Sequence, residues 1–195
     1  MTWYTQIVNK NTFFELLFQL DKKEFEKKHK EVCPCCGQGK LYTANYSRKP
    51  RGFTGDLDDD INIRFSLCCS KDGCRRRYNP ASLRFYDRKV YFTAYFVLIT
   101  CLRYGPNRYR LRKLYETYGV STRTILRWRK YWKKKFPETE LCRQLSGYFR
   151  YPCENFPEEL FSRLINNNGE KQDTIILLLR NLSRAPPDYN TYAGI

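Results

Sequence analysis

Six of the nine cysteines in this 195-residue chain fall into two tight clusters, Cys33-Pro34-Cys35-Cys36-Gly37 and Cys68-Cys69-Ser70-Lys71-Asp72-Gly73-Cys74. Zinc takes four ligands at tetrahedral corners, commonly as two pairs, each presented from a tight turn. Cys33 and Cys36 have the C-x-x-C spacing. Cys69 and Cys74 form a C-x-x-x-x-C knuckle with Gly73 at its bend. Gly37 frees the backbone to turn sharply, so that amides can point back at sulfur. The spacer between the clusters contains strand-like stretches, Leu41 to Ala44 and Ile61 to Phe65, and the whole matches a zinc ribbon. Cys68 remains an alternative to Cys69, lengthening the turn by one residue; the shorter knuckle favours Cys69. A metal also answers an energetic need. The region has few large aliphatic side chains, and zinc supplies about 10–16 kcal/mol in comparable small modules. The predicted cofactor is Zn2+, held by Cys33, Cys36, Cys69 and Cys74.

Rival chemistries fit less well. A redox C-x-x-C goes with a thioredoxin-like βαβ pattern, which the sequence lacks. A catalytic zinc needs an open position and a nearby base. Four thiolates close the shell, and the single histidine, His29, sits at a charged helix end and reads as solvated. Cys101, Cys142 and Cys153 lie far apart and read as small packing side chains. The acidic run Asp56, Asp58, Asp59 and Asp60 lacks the alternating ligands of a calcium loop and reads as solvated. With no carboxylate or histidine constellation in view, the expectation is a protein that is not an enzyme.

The second informative stretch runs from Tyr109 to Trp132. Leu111, Leu114, Tyr115 and Tyr118 recur at helical spacing. Gly119 is placed to end that helix in a left-handed turn, Val120 to plug the corner, and Ser121 to cap the next helix. Ile125, Trp128 and Trp132 continue the buried face. Helix, three-residue turn with Gly, helix is the helix-turn-helix layout. The preceding apolar stretch, Arg88 to Leu102, would complete a three-helix, homeodomain-like unit.

The outer face of the second helix carries Arg123, Arg127, Lys130 and Lys134 at i, i+4, i+7 and i+11. Between Cys101 and Lys135 stand twelve Lys or Arg and one acid, Glu116, a local net of +11 within a chain total of +16. Uncompensated like charges repel, and a phosphate backbone relieves that repulsion while releasing counterions. The predicted partner is therefore double-stranded DNA. The N-terminal half of a recognition helix enters the major groove, so Thr122, Arg123, Thr124 and Arg127 are the base-reading candidates. Arg129, Lys130, Lys133 and Lys134 are the phosphate-holding ones. A second basic segment leaves the ribbon: Lys71, Arg75, Arg76, Arg77, Arg84, Arg88 and Lys89 against Asp72 and Asp87. Arg75, Arg76 and Arg77 would add backbone or minor-groove contacts, unless the segment is a connector whose aromatics pack on the helical unit.

These elements need a frame. Residues 11 to 30 read as a helix with Phe13, Leu16, Leu17 and Leu20 on one face and a charged end. Two short helical stretches, Pro157 to Ile165 and Asp173 to Leu182, precede a loose tail from Ser183. The expected class is mainly α with a small β zinc ribbon. Its four parts are an N-terminal helix (1–30), the ribbon (31–80), the helix-turn-helix unit (81–135) and a C-terminal helical segment with the tail (136–195). The longest mainly apolar run, Val90 to Leu102, falls short of the ~20 residues a membrane span needs. No signal peptide is visible at the start. With an odd number of cysteines, this points to a reducing, cytoplasmic and nucleoid-associated location.

The order zinc ribbon, basic connector, helix-turn-helix resembles the N-terminal DNA-binding part of bacterial insertion-sequence transposases. Gly119-Val-Ser-Thr-Arg-Thr-Ile-Leu-Arg-Trp128 is similar to their recognition helices. Cys33-Pro-Cys-Cys-Gly37 and Cys69 to Cys74, followed by three Arg, are similar to their ribbon knuckles. The resemblance covers roughly residues 31 to 135. Such transposases also carry a carboxylate-triad nuclease domain of well over a hundred residues, and only about sixty remain here. The resemblance therefore implies DNA binding without strand cleavage, in a transposition-related or regulatory accessory factor. The alternative is an adaptor in a nucleoprotein complex, holding a protein through the N-terminal helix or the C-terminal segment, with non-specific DNA or RNA contact.

Overall fold

The computed structural model describes residues 10–48, 50–51, 58–86, 91–98, 106–140, 142–143 and 171–183. The helix expected over Pro157 to Ile165, the tail beyond Ser183, both ends of the Arg88–Leu102 helix, Asp56, Cys101 and Cys153 lie outside these residues.

The chain is mainly helical with a small antiparallel sheet. Helix α1 (Asn11–His29) leads into strands β1 (Leu41–Thr43) and β2 (Tyr46–Ser47). A 3₁₀ turn (Asp59–Asn62) precedes β3 (Ile63–Arg64), β4 (Leu67–Cys69) and β5 (Arg77–Tyr78). Helices α2 (Thr93–Leu98), α3 (Arg108–Tyr118) and α4 (Thr122–Lys130) follow. A π turn (Tyr131–Lys135) and a 3₁₀ turn (Phe136–Glu138) continue α4, and α5 (Lys171–Ser183) is the last described element.

The strands form one bent hairpin with a third strand on its edge. Leu41 faces Cys69 and Thr43 faces Leu67; further along, Tyr46 faces Arg64 in the same register. Between the two pairings Ala44 N donates to Ser66 O, and the Asn45 side-chain oxygen accepts from Ser66 N. The Asn45 side chain thus takes over a ladder bond where the two short sheets join. β5 pairs with β4, Cys68 facing Arg77. The expected strand at Ile61 begins two residues later. Asp58 caps a 3₁₀ turn there by accepting from Asp60 N, and local carboxylate capping displaces extended backbone.

Two hydrophobic clusters divide the interior. The larger takes Phe13, Phe14 and Leu17 from α1 and Phe92, Tyr95, Phe96 and Val97 from α2 and the residue before it. Leu111, Tyr118, Val120, Ile125, Trp128, Trp132 and Phe136 join them, as do Ile175, Leu178, Leu179 and Leu182 of α5. The smaller, under the hairpin, is Cys33, Leu41, Leu67 and Cys69, with Phe25 and Tyr78 against it. Helix α1 therefore touches both: its first turns enter the large core, and Phe25 stacks on Phe65 5.0 Å away beside the small one.

A buried charge pair joins the same parts. Asp21 on α1 accepts from Ser82 Oγ at 2.6 Å, from Leu83 N at 2.6 Å and from Arg84 Nε at 2.9 Å. Arg84 also donates to Ile61 O and lies over the rings of Phe18, Phe65 and Phe85. Both side chains are almost fully buried. This corrects the reading of Arg84 as part of an outward basic segment: its charge is neutralised inside the protein by Asp21.

Candidate metal centre and nucleic-acid interface

The candidate metal centre is built by two knuckles at one end of the hairpin. Gly37 and Gly73 have left-handed backbone, φ 67° and 80°, which lets each knuckle turn within four or five residues. The first is closed by Cys33 N donating to Gly39 O and Gly37 N donating to Cys33 O, both at 2.8 Å. The Sγ atoms of Cys33, Cys36, Cys69 and Cys74 all lie within 4.8 Å of one another. Cys36 and Cys69 sulfurs are 3.7 Å apart, and Cys33 and Cys74 3.9 Å. Four closely placed thiols of this kind could hold a metal ion.

The strand decides between the two adjacent cysteines. Neighbouring residues on a strand face opposite sides. Cys69 is buried within the cluster, whereas the Cys68 Sγ points to Arg75 O at 3.5 Å. Cys35 is exposed and is not in the cluster.

Backbone amides prepare the sulfurs for negative charge. Cys35 N donates to Cys33 Sγ, Gly39 N to Cys36 Sγ and Lys71 N to Cys69 Sγ, each at 3.4 Å. The amides of Gly39 and Gln38 hold the Cys36 thiol down at about 6, so it is ionised at neutral pH. Desolvation pushes Cys69 up to about 12. Without a cation the cluster cannot carry four thiolates; a bound cation reverses that balance. Gly39 was not singled out from the sequence. A Cβ there would run into Cys69 Sγ, so the position beside the site is closed to any side chain. The glycine two residues beyond the C-x-x-C-G motif is the signal that points to it.

The helix-turn-helix stretch has the expected local geometry. Asn107 caps α3, its side-chain oxygen accepting from Arg110 N at 2.8 Å. Gly119 ends α3 with φ 62°, Val120 is buried, and Ser121 Oγ accepts from Thr124 N at 3.3 Å. Helix α4 packs by Ile125 and Trp128. Trp128 meets Phe96 edge-on, and Trp132 Nε1 donates to Phe96 O at 3.3 Å. Tyr95 of α2 packs on Tyr118 of α3 with ring centres 5.1 Å apart. The expected helix Thr122 to Lys134 is α-helical only to Lys130. It then widens into the π turn, where the Tyr131 hydroxyl meets that of Tyr86 at 3.2 Å.

Thr122, Arg123, Arg127 and Lys130 are exposed on α4, and Lys133 and Lys134 on the π turn. None of these five cations has an ion pair among the described residues. The other two candidates on this helix differ. Thr124 is half-buried and its hydroxyl accepts from Ser121 Oγ at 3.0 Å, so it belongs to the cap. Arg129 is half-buried on the flank. In the ribbon, Arg75 is ion-paired with Asp72 at 2.6 Å and Arg77 lies over the Tyr46 ring. Arg76 is exposed. On α3, Arg112 pairs with Glu116 at 2.8 Å.

Among the described helices, none is long and apolar enough to cross a membrane. No family model, no curated protein and no solved structure matches the chain.

Proposed function

We propose that the protein binds double-stranded DNA sequence-selectively through α4, with a structural zinc ion in the ribbon, and acts as a transposition-related or regulatory accessory factor that does not itself cut DNA. One observation carries the reading: Arg123, Arg127, Lys130, Lys133 and Lys134 stand exposed, with no acid of the described residues paired to them. Such a concentration of like charge is stabilised by a polyanion. The helices α2, α3 and α4 then act as a three-helix unit of homeodomain type, with α4 as the recognition helix. The aromatic contacts of Phe96, Tyr95 and Trp128 support that arrangement.

Zinc fits the donor set. Four sulfurs around one tetrahedral ion at Zn–S distances of about 2.3 Å stand about 3.8 Å apart, and the two close pairs are at 3.7 and 3.9 Å. Cys33, Cys36, Cys69 and Cys74 would hold the ion, which neutralises the thiolates and ties the two knuckles together.

Arg127 and Arg123 would meet the O6 and N7 acceptors of guanine. Arg127→Ala should cost about 1–3 kcal/mol on the selected site and far less on random duplex. Lys134→Ala should weaken both alike and lower the salt slope by about one. Titrations on cognate and random duplex at several salt concentrations measure both. If Arg123→Ala and Arg127→Ala bind the two duplexes as the parent does, α4 is not the reading helix.

A further inference from the structure

The outer face of α4 holds one residue that charge does not explain. Leu126 is 44 % exposed, while Ile125 and Trp128 of the same helix are buried. By helical periodicity its neighbours on that face are Thr122, Arg123 and Lys130, all exposed. A single exposed leucine is ordinary on a protein surface. This one stands within the face that the DNA-binding reading places in the major groove. There, base edges offer nitrogen and oxygen donors and acceptors and one apolar group, the C5-methyl of thymine. The cations around Leu126 serve the acceptors and the phosphates; none of them gains from shielding a methyl from water, and a leucine does. A protein partner is a poorer match, because a stable interface buries about 800 Å² per side around an apolar centre, and Leu126 is flanked by Arg123, Arg127 and Lys130.

We propose that Leu126 is a specificity-determining residue that recognises a thymine methyl beside the guanine positions read by Arg123 or Arg127. This inference rests on the DNA-binding reading above.

The test uses the full-length, zinc-loaded chain. A binding site is selected from a random duplex library. Duplexes are then titrated in which each thymine of that site is replaced in turn by deoxyuridine, which removes only the methyl. One position is expected at which the loss weakens binding by about three- to tenfold. Leu126→Ala should bind the thymine and uracil duplexes equally at that position while keeping its guanine preferences. Alanine is the strongest helix former, and an unchanged melting temperature checks that α4 persists. Thr122→Ser deletes the methyl of the other exposed base-reading candidate on this face, and loss of the methyl discrimination in that variant would assign the contact to Thr122 instead of Leu126. The inference is overturned if no thymine methyl matters, if Leu126→Ala still discriminates, or if Thr122→Ser abolishes the effect instead. A library that yields no site removes the DNA-binding reading and this inference with it; a site indifferent to the methyl removes the inference alone.

Discussion

The ribbon and the helical region solve the folding problem in opposite ways. The helical core is stocked with large rings, among them Phe14, Phe92, Tyr95, Phe96, Trp132 and Phe136, all nearly or fully buried. Each such side chain contributes roughly 1.5–3 kcal/mol on burial. Among the described residues, the small cluster under the hairpin has Leu41 and Leu67 as its only buried aliphatics, and two of its four core residues, Cys33 and Cys69, are proposed ligands. Its strands are two or three residues long, too short to be stable alone. One region can therefore stand on oil, and the other is proposed to depend on an ion. The electrostatics divide the same way. In the ribbon negative charge is gathered inward on sulfur, whereas on α4 positive charge is turned outward.

Removing one ligand should break this contrast most sharply. Cys36→Ser is expected to forfeit most of the about 10–16 kcal/mol associated with zinc in such modules. Mass spectrometry should find the ion gone. Amide NMR signals of 33–78 should collapse toward random-coil positions, while the near-ultraviolet signal of Trp128 and Trp132 persists. A ribbon that stays folded without metal would void the comparison. Acid should act in the same direction. The Cys36 thiolate forms above about 6, so protons do not compete for that sulfur at neutral pH, and metal affinity should fall progressively as pH drops below that value. Zinc release followed against pH, with the helical circular dichroism signal recorded alongside, measures it.

The link between the regions is the next test. Asp21→Ala leaves Arg84 buried without its counter-charge and should cost about 3–5 kcal/mol. Asp21→Ala with Arg84→Met should recover much of that, because the uncompensated charge is gone. Urea denaturation of the single and double variants decides it. Equal losses in both would mean that packing of the Arg84 stem over Phe18, Phe65 and Phe85, rather than charge, joins the two parts. The smallest effect belongs to the helical region alone. Ser121→Ala removes the α4 cap and should cost about 1 kcal/mol, lowering the melting temperature without changing metal content.

Local features were plain in the sequence where one residue type has one physical use. The glycine, buried valine and serine of Gly119-Val120-Ser121 behave as their backbone freedom, size and hydroxyl dictate. The amphipathic faces of α1, α3 and α4 appeared from spacing alone, although Phe14 joined the α1 face unannounced and Tyr115, expected on the apolar face of α3, is exposed. Lone dipeptide strands were not legible. β5 holds only Arg77 and Tyr78 and owes its conformation to pairing with β4. The π turn was not legible either; within it the Tyr131 hydroxyl meets that of Tyr86, a residue far away in sequence. Arg84 misled for the same reason: counted as sequence it is a free cation, and only its distant partner Asp21 makes it an interior one.

Composition and spacing by themselves determined that this chain gathers thiols into two knuckles, runs a helix-turn-helix and carries a large cationic excess. Those properties are set by near neighbours along the backbone. Tertiary structure alone decided that Cys69 rather than Cys68 turns into the cluster, that Arg84 is spent on Asp21, that Thr124 serves the cap, and that Leu126 stands among the outward cations. Each of these depends on which side of an element faces a partner far away in sequence, and that is fixed only when the strands pair and the helices pack.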